Sequence, residues 1–203
     1  MEEIIAGVRT FQRDVYPKYR ELFEKLSFGQ SPVALVITCS DSRVDPFLFT
    51  NAEPGRLFVL RNAGNIVPKY DGIVGGVTAT IEFAVVGLRV PNIIVCGHSG
   101  CGAMKGLLHP EAITNMPHVG DWLHHHAEPV LEILANAGRL GGPDEMEQAV
   151  DTNVVVQLEN LRGHPCVAEA LAEGNVKLHG WVYDIASGAI RAYNEQWRQY
   201  GAL

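Results

Sequence analysis

Two short motifs combine side chains that bind a metal ion with side chains that could control a proton. The first contains Cys39, Asp41 and Arg43, and the second contains His98 and Cys101. Two thiolates and one imidazole form a zinc-binding set that leaves the fourth tetrahedral position open to water. A structural zinc site has four protein ligands instead. The residue types therefore predict a catalytic zinc site whose ligands are Cys39, His98 and Cys101.

Asp41 and Arg43 lie beside the first thiolate in the sequence. The Asp41 carboxylate could accept the hydrogen bond of a metal-bound water, and a bidentate ion pair with Arg43 would keep this carboxylate off the metal. The alternative is a salt bridge that caps the loop and has no catalytic part. Because two thiolates neutralise the formal charge of Zn²⁺, the pKa of bound water should exceed the value of about 7 for a three-histidine site. We therefore expect a reaction rate that rises above neutral pH.

The residues around the second motif are small. Gly97, Gly100 and Gly102 lie next to His98 and Cys101. Because glycine has no side chain, the backbone can come close to the metal, and this predicts a small electrophilic substrate. The Gly102 N–H, at the start of a following helix, could bind a developing oxyanion. The same glycines loosely imitate a dinucleotide-binding turn. A pair of metal ligands inside that turn disfavours this interpretation.

Both motifs follow apolar runs, at residues 33–38 and 92–96, that predict buried strands. Another strand at 57–61 and helices near 45–49 and at 75–89 alternate with them. This alternation predicts an α/β fold with a parallel sheet and right-handed crossovers. In open sheets of this kind, ligands bind beyond the carboxyl ends of the strands. The sheet would therefore bring the two motifs together.

An amphipathic stripe between Ile4 and Leu26 predicts an N-terminal helical arm, which Pro17 should divide into two helices. The arm could pack on its own domain or across a dimer. The remaining patterned segments predict two helices and a terminal hairpin, at residues 119–137, 145–161, 176–183 and 189–193. We expect a single domain over residues 1–203, with the arm at 1–28 and the α/β core at 29–203.

The composition excludes several classes of partner. The chain has 203 residues and a formal net charge of −7, which disfavours a nucleic-acid partner because phosphate binding requires basic surface. No apolar run approaches the ~20 residues of a membrane helix. The acidic start lacks the pattern of a secretory signal, and four cysteines are too few for a disulfide scaffold. We therefore expect a cytoplasmic protein with no membrane partner.

The motif that begins at Cys39, the motif that begins at His98 and the segment 61–65 resemble the β-class carbonic anhydrases in order and spacing, and the likeness runs over nearly the whole chain. The resemblance implies reversible hydration of CO₂ to bicarbonate and a proton, by attack of zinc-bound hydroxide on CO₂. It also implies one Zn²⁺ per subunit and a homodimer or dimer-based oligomer. The implied fold is a mainly parallel four-stranded sheet with an added antiparallel strand, flanked by helices.

Within that family, the chain is more similar to the plant-like branch than to the bicarbonate-inhibited bacterial branch. Gln30 and Phe58 match active-site positions of plant-like enzymes, where the glutamine amide of this or the partner subunit helps to hold substrate. Phe83 stands where those enzymes usually have tyrosine, so a phenolic hydroxyl is missing from the implied pocket. The inhibited branch has tryptophan and glycine at the positions of Val36 and Thr38.

Two other functions use the same residues. The zinc site could hydrolyse carbon disulfide or carbonyl sulfide. Alternatively, the protein could be a non-catalytic scaffold whose zinc site is closed by a fourth protein ligand, of which Asp41 is the best candidate. Assays with each substrate and the number of protein ligands separate these hypotheses from CO₂ hydration.

Overall fold

Residues 1–31 of the computed structural model form a helical unit distinct from residues 32–203. This unit contains α1 (Glu2–Thr10) and α2 (Arg20–Leu26). A π-helical turn at Phe11–Val15 and a 3₁₀ turn at Tyr16–Tyr19 separate the two helices. Pro17 lies in the 3₁₀ turn, where it cannot donate the backbone hydrogen bond that a continuous α-helix requires. The predicted division into two helices is confirmed.

One six-stranded sheet forms the centre of the other unit, within the residues that the structure describes, 1–72 and 75–203. The strands are β1 (Ala34–Cys39), β2 (Leu57–Asn62), β3 (Asn92–His98), β4 (Lys177–Tyr183), β5 (Ile190–Asn194) and β6 (Gln199–Ala202). Their order is β2-β1-β3-β4-β5-β6. The first four strands in this order are parallel, and β5 and β6 are antiparallel to their neighbours. The predicted parallel sheet with an added antiparallel strand is confirmed, and β6 is a further strand.

Helices alternate with the strands, as the pattern predicts. They are α3 (Pro46–Thr50), α4 (Gly76–Glu82), α5 (Gly102–Leu108), α6 (Pro117–Asn136), α7 (Glu145–Arg162) and α8 (Pro165–Ala172), with a 3₁₀ turn at Pro110–Ile113. The helix expected at 75–89 differs in detail, because α4 continues as a π-helical turn at Phe83–Gly87. The Phe83 ring lies only 3.2 Å from where a Cβ on Gly87 would be, so glycine leaves space for that ring.

No helix in the described part of the chain is long and apolar enough to cross a membrane.

Two glycines let α7 pack closely on the sheet. A Cβ on Gly97 of β3 would lie 2.9 Å from Val154, and a Cβ on Gly180 of β4 would lie 2.8 Å from Leu158. Both contacts are closer than real Cβ atoms tolerate, so only glycine permits this helix–sheet distance. Because Gly97 precedes His98, the packing of α7 on the sheet also positions the carboxyl end of β3.

Candidate metal centre

The predicted metal ligands meet at one edge of the sheet. Cys39 is the last residue of β1, His98 is the last residue of β3, and Cys101 directly precedes α5. Because β1 and β3 are parallel neighbours, their carboxyl ends lie side by side. The Sγ atoms of the two cysteines and a ring nitrogen of His98 all lie within 4.8 Å of one another, and all three residues are buried.

Hydrogen bonding leaves one ring nitrogen of His98 available to a metal. Nδ1 lies 3.0 Å from the carbonyl oxygen of Ser99. Because a carbonyl can only accept, Nδ1 carries the proton and Nε2 has a free lone pair. Nε2 is buried and has no hydrogen-bond partner among the described residues. An unpaired buried polar atom is costly, and a zinc ion between Nε2 and the two sulfurs would remove that cost.

The two cysteine side chains affect each other's protonation. Their Sγ atoms are 4.0 Å apart. The hydrogen bond between the two sulfurs lowers the pKa of Cys39, against the opposing effect of burial. The adjacent Cys39 sulfur and burial raise the pKa of Cys101. Without a cation, therefore, ionisation of Cys39 disfavours ionisation of Cys101. A divalent ion that prefers sulfur and nitrogen ligands would stabilise both thiolates, so the residues fit Zn²⁺.

Arg43 holds Asp41 beside this cluster. Its Nε and Nη2 atoms donate to the two carboxylate oxygens of Asp41 at 2.9 and 2.7 Å, and its backbone N–H donates at 3.0 Å. These hydrogen bonds hold the pKa of Asp41 well below its usual range. Oδ2 of Asp41 is 3.9 Å from Nε2 of His98. Arg43 also donates to the Gly100 carbonyl at 3.3 Å, which links the first motif to the second.

Arg61 supports the loop that carries the first motif, a contact that sequence reasoning missed. Its Nε donates to the Cys39 carbonyl at 3.0 Å, and its Nη2 donates to the carbonyls of Asp41 and Val44 at 2.7 and 2.8 Å. The segment 61–65 is part of the family resemblance, but a resemblance does not reveal contacts. Since each carbonyl is at least 17 residues away in sequence, no local pattern could have predicted them.

The predicted substrate residues have different locations. Gly102 begins α5 directly after Cys101 and is exposed. Phe58 pairs with Leu35 in the sheet, four residues before Cys39, which places it about 13 Å from the carboxyl end of β1. Its ring contacts the Phe83 ring, with centroids 5.9 Å apart. Gln30 is exposed and belongs to the N-terminal unit.

Sequence comparison relates most of the chain to proteins named carbonic anhydrase. The family model described as carbonic anhydrase matches residues 34–190. A carbonic anhydrase of Pseudomonas aeruginosa is 49% identical over 203 residues, which is 100% of this chain and 92% of that protein. A carbonic anhydrase of Synechocystis sp. is 47% identical over 96% of this chain and 71% of that protein.

Solved structures have the same fold. The β-carbonic anhydrase CcaA superposes with a TM-score of 0.95 at 45% identity, over 100% of this chain and 92% of that chain. A β-carbonic anhydrase of Coccomyxa, in complex with acetazolamide, has a TM-score of 0.79 at 32% identity, over 94% of this chain and 84% of that chain. A β-carbonic anhydrase of Sordaria macrospora described as tetrameric has a TM-score of 0.73 at 33% identity, over 94% of this chain and 92% of that chain.

Proposed function

We propose roles for the residues of this site on the premise that the chain belongs to the carbonic anhydrase family, in its β class. The chain is a zinc-dependent carbonic anhydrase, which hydrates CO₂ reversibly to bicarbonate and a proton. The observation that carries this conclusion is the buried group of Cys39, His98 and Cys101, whose ligand atoms lie within 4.8 Å of one another. When bound, zinc supplies a Lewis acid that lowers the pKa of water and makes a hydroxide nucleophile available.

In our proposal, Asp41 is the hydrogen-bond acceptor for a water molecule at the metal centre. Its carboxylate lies 3.9 Å from Nε2 of His98, and its lowered pKa keeps it ionised at neutral pH. An ionised carboxylate accepts hydrogen bonds only, so Asp41 would orient a water molecule with a lone pair directed away from itself. Arg43 would hold the carboxylate in this position and prevent it from becoming a fourth metal ligand.

Gly102 and the surrounding backbone would receive the substrate. Gly102 is exposed at the start of α5 and lies next to Cys101. Its backbone N–H would donate to an oxygen that gains negative charge as CO₂ becomes bicarbonate. Because glycine has no side chain, a small linear substrate can approach the ligands closely.

We propose that a homodimer completes the pocket and that the arm at residues 1–28 contributes to it. Phe58 contacts Phe83 and lies near the start of β2, away from the metal ligands of its own chain. A second protomer could bring these rings, together with Gln30, to the metal centre. The relative described as tetrameric supports assembly from dimers. Residues 1–203 would then act as one catalytic domain with an arm.

We further propose that the chain belongs to the plant-like branch and acts in the cytoplasm. Val36 is fully buried in β1, and the Thr38 hydroxyl donates to the Cys96 carbonyl at 2.9 Å inside the sheet. These side chains occupy the places of the tryptophan and glycine of the bicarbonate-inhibited branch. A cytoplasmic location suits thiol ligands, because reducing compartments protect thiols from oxidation.

Zinc analysis combined with a stopped-flow assay of CO₂ hydration tests this function. We expect one zinc per chain and rapid hydration. Cys39→Ser should lose both zinc and activity, whereas Cys166→Ser, at a half-buried cysteine on α8, should retain both. Turnover of CS₂ or COS without CO₂ hydration would contradict the proposal, and so would a fourth protein ligand that persists at every pH.

A further inference from the structure

The peptide group between Ala63 and Gly64 connects a tryptophan to one of the metal ligands. The Gly64 N–H donates to the Cys39 sulfur, with N and Sγ 3.5 Å apart. The carbonyl of the same peptide group, on Ala63, accepts a hydrogen bond from Nε1 of Trp122 at 3.0 Å. A single peptide plane thus joins an indole N–H on α6 to a sulfur atom at the end of β1.

This chain of hydrogen bonds has two physical effects. Linked hydrogen bonds polarise one another, so a donor on the Ala63 carbonyl makes the Gly64 N–H a stronger donor. Because the peptide group is planar, a fixed carbonyl also fixes the direction of this N–H. A hydrogen bond to sulfur favours the thiolate, which is the form of cysteine that binds metals. The indole could therefore influence Cys39 without touching it.

Buried amide side chains on α7 hold the loop that follows β2 and contains the Ala63–Gly64 peptide. Asn153 donates to the Gly64 carbonyl at 2.9 Å, Gln157 accepts from the Val67 N–H at 2.8 Å, and Asn160 donates to the Val67 carbonyl at 2.9 Å. All three side chains are at most 7% exposed. Buried amides are costly unless they are paired, so these contacts favour one position of the loop.

Gly64 is the residue that allows this loop to approach the site. Its φ of +83° is a left-handed conformation, and an added Cβ would lie 3.0 Å from Cβ of Ala103. A side chain would therefore strain the backbone and push the Gly64 N–H away from Cys39. The geometry of the peptide depends on glycine at this position and on partners from α6 and α7.

We propose that Trp122 is a positioning residue of the metal centre. Its indole N–H orients and polarises the Ala63–Gly64 peptide, so that the Gly64 N–H supports Cys39 as a thiolate ligand. Trp122 is half-buried and donates its indole hydrogen bond to this peptide. The inference rests on the assignment of Cys39 as a zinc ligand in the proposed function.

Trp122→Phe tests the inference because it removes the Nε1–H donor and retains an aromatic ring. In the zinc-loaded variant, we expect the Gly64 amide proton to move upfield in the ¹H–¹⁵N spectrum. We also expect the dissociation constant of zinc, measured by chelator competition, to rise about 10-fold, as for other groups that support metal ligands. Trp181→Phe is the matched control, since Trp181 is also half-buried but lies on β4. This control should change neither quantity.

The wild-type protein offers a second measurement that does not depend on the folding of a variant. After loading with ¹¹³Cd²⁺, the Gly64 amide proton should show a scalar coupling to cadmium through the Cys39 sulfur. Absence of this coupling, an unmoved amide proton in Trp122→Phe, or an unchanged zinc dissociation constant would each overturn the inference. Wild-type protein that binds no zinc would refute the proposed function together with the inference. If wild-type protein binds zinc and Trp122→Phe is unaffected, only the inference fails.

Discussion

In the proposed function, Asp41 and Arg43 would control access to the metal centre. Arg43 donates three hydrogen bonds to the Asp41 carboxylate, two from its side chain and one from its backbone. Without the guanidinium, the carboxylate would lose two of these three hydrogen bonds and keep the one from the backbone. Because Oδ2 already lies 3.9 Å from Nε2 of His98, a small rotation would bring Asp41 within reach of a metal ion.

Arg43→Ala should therefore retain zinc and lose activity. We expect CO₂ hydration to fall about 100-fold or more, because the Asp41 carboxylate would become a metal ligand and would no longer orient water. Metal analysis and the stopped-flow assay measure the two quantities separately. Arg162→Ala removes another arginine with a carboxylate partner, Glu195, and should leave both unchanged. Full activity in Arg43→Ala would contradict the proposed role of this pair.

The same ion pair predicts a small effect of pH on stability. Arg43 lowers the pKa of Asp41 in the folded state, so the stabilisation is present above the ordinary pKa of about 4 and is lost as the pH falls through the lowered value. The Arg43 side chain is 53% exposed, so solvent screens the ion pair and its contribution to stability is small. Denaturant titrations of metal-free protein should show wild type more stable than Asp41→Asn at pH 6. The difference should shrink as the pH falls below 4, and a difference that does not change would refute the assignment.

At the scale of elements, α7 combines apolar packing with polar support. Its valine and leucine side chains contact the sheet where Gly97 and Gly180 leave space. Its buried amides hold the loop after β2. One helix thus positions the end of β3, which carries His98, and the loop that faces Cys39.

Gly97→Ala tests this packing. The added Cβ would lie 2.9 Å from Val154, so we expect a loss of about 1–3 kcal/mol in the free energy of unfolding and a lower zinc content. Adding Val154→Ala should recover part of the loss that Gly97→Ala causes, as a double-mutant cycle would show. Gly76→Ala is the control, because no atom of another described residue lies within 4 Å of a Cβ there. Equal stability of wild type and Gly97→Ala would refute the close approach.

The last strand, β6, depends on contacts between distant residues. Tyr200 of β6 donates to the Asp151 carbonyl at 2.8 Å, and the Arg191 guanidinium lies 5.1 Å from the centre of the Tyr200 ring. Arg191 also forms a bidentate ion pair with the Asp151 carboxylate, at 2.9 and 2.8 Å. The strand contains glycine and alternates weakly, so its partners on β5 and α7 determine its conformation more than its own sequence does.

At the scale of the whole molecule, Phe58 of the implied substrate pocket lies away from the metal ligands of its own chain. The metal ligands lie at the carboxyl ends of β1 and β3. Phe58 lies at the other end of β2, and Gln30 belongs to another unit. In the proposed dimer, Phe58 would reach the metal centre of the neighbouring chain.

Complementation between inactive variants tests this assembly. Cys39→Ser has no intact metal centre, and the double variant Gln30→Ala/Phe58→Ala has no intact pocket. If the pocket comes from the partner, mixed dimers contain one complete site, and co-expression should restore CO₂ hydration. If each chain forms its own pocket, every site carries a defect and activity stays absent. A size measurement confirms that the variants assemble like the wild type.

The metal-ligand motifs and the α/β alternation could be predicted from the sequence alone, because each motif and each element is a local pattern. Strand and helix periodicity is encoded in neighbouring residues, and parallel strands bring Cys39 and His98 to one edge in any such sheet. The tertiary structure alone decided which ring nitrogen of His98 is free, that Arg61 binds the Cys39 loop, and that Gly64 faces the Cys39 sulfur. These contacts join residues whose meeting depends on how whole elements pack, and no local pattern records that arrangement.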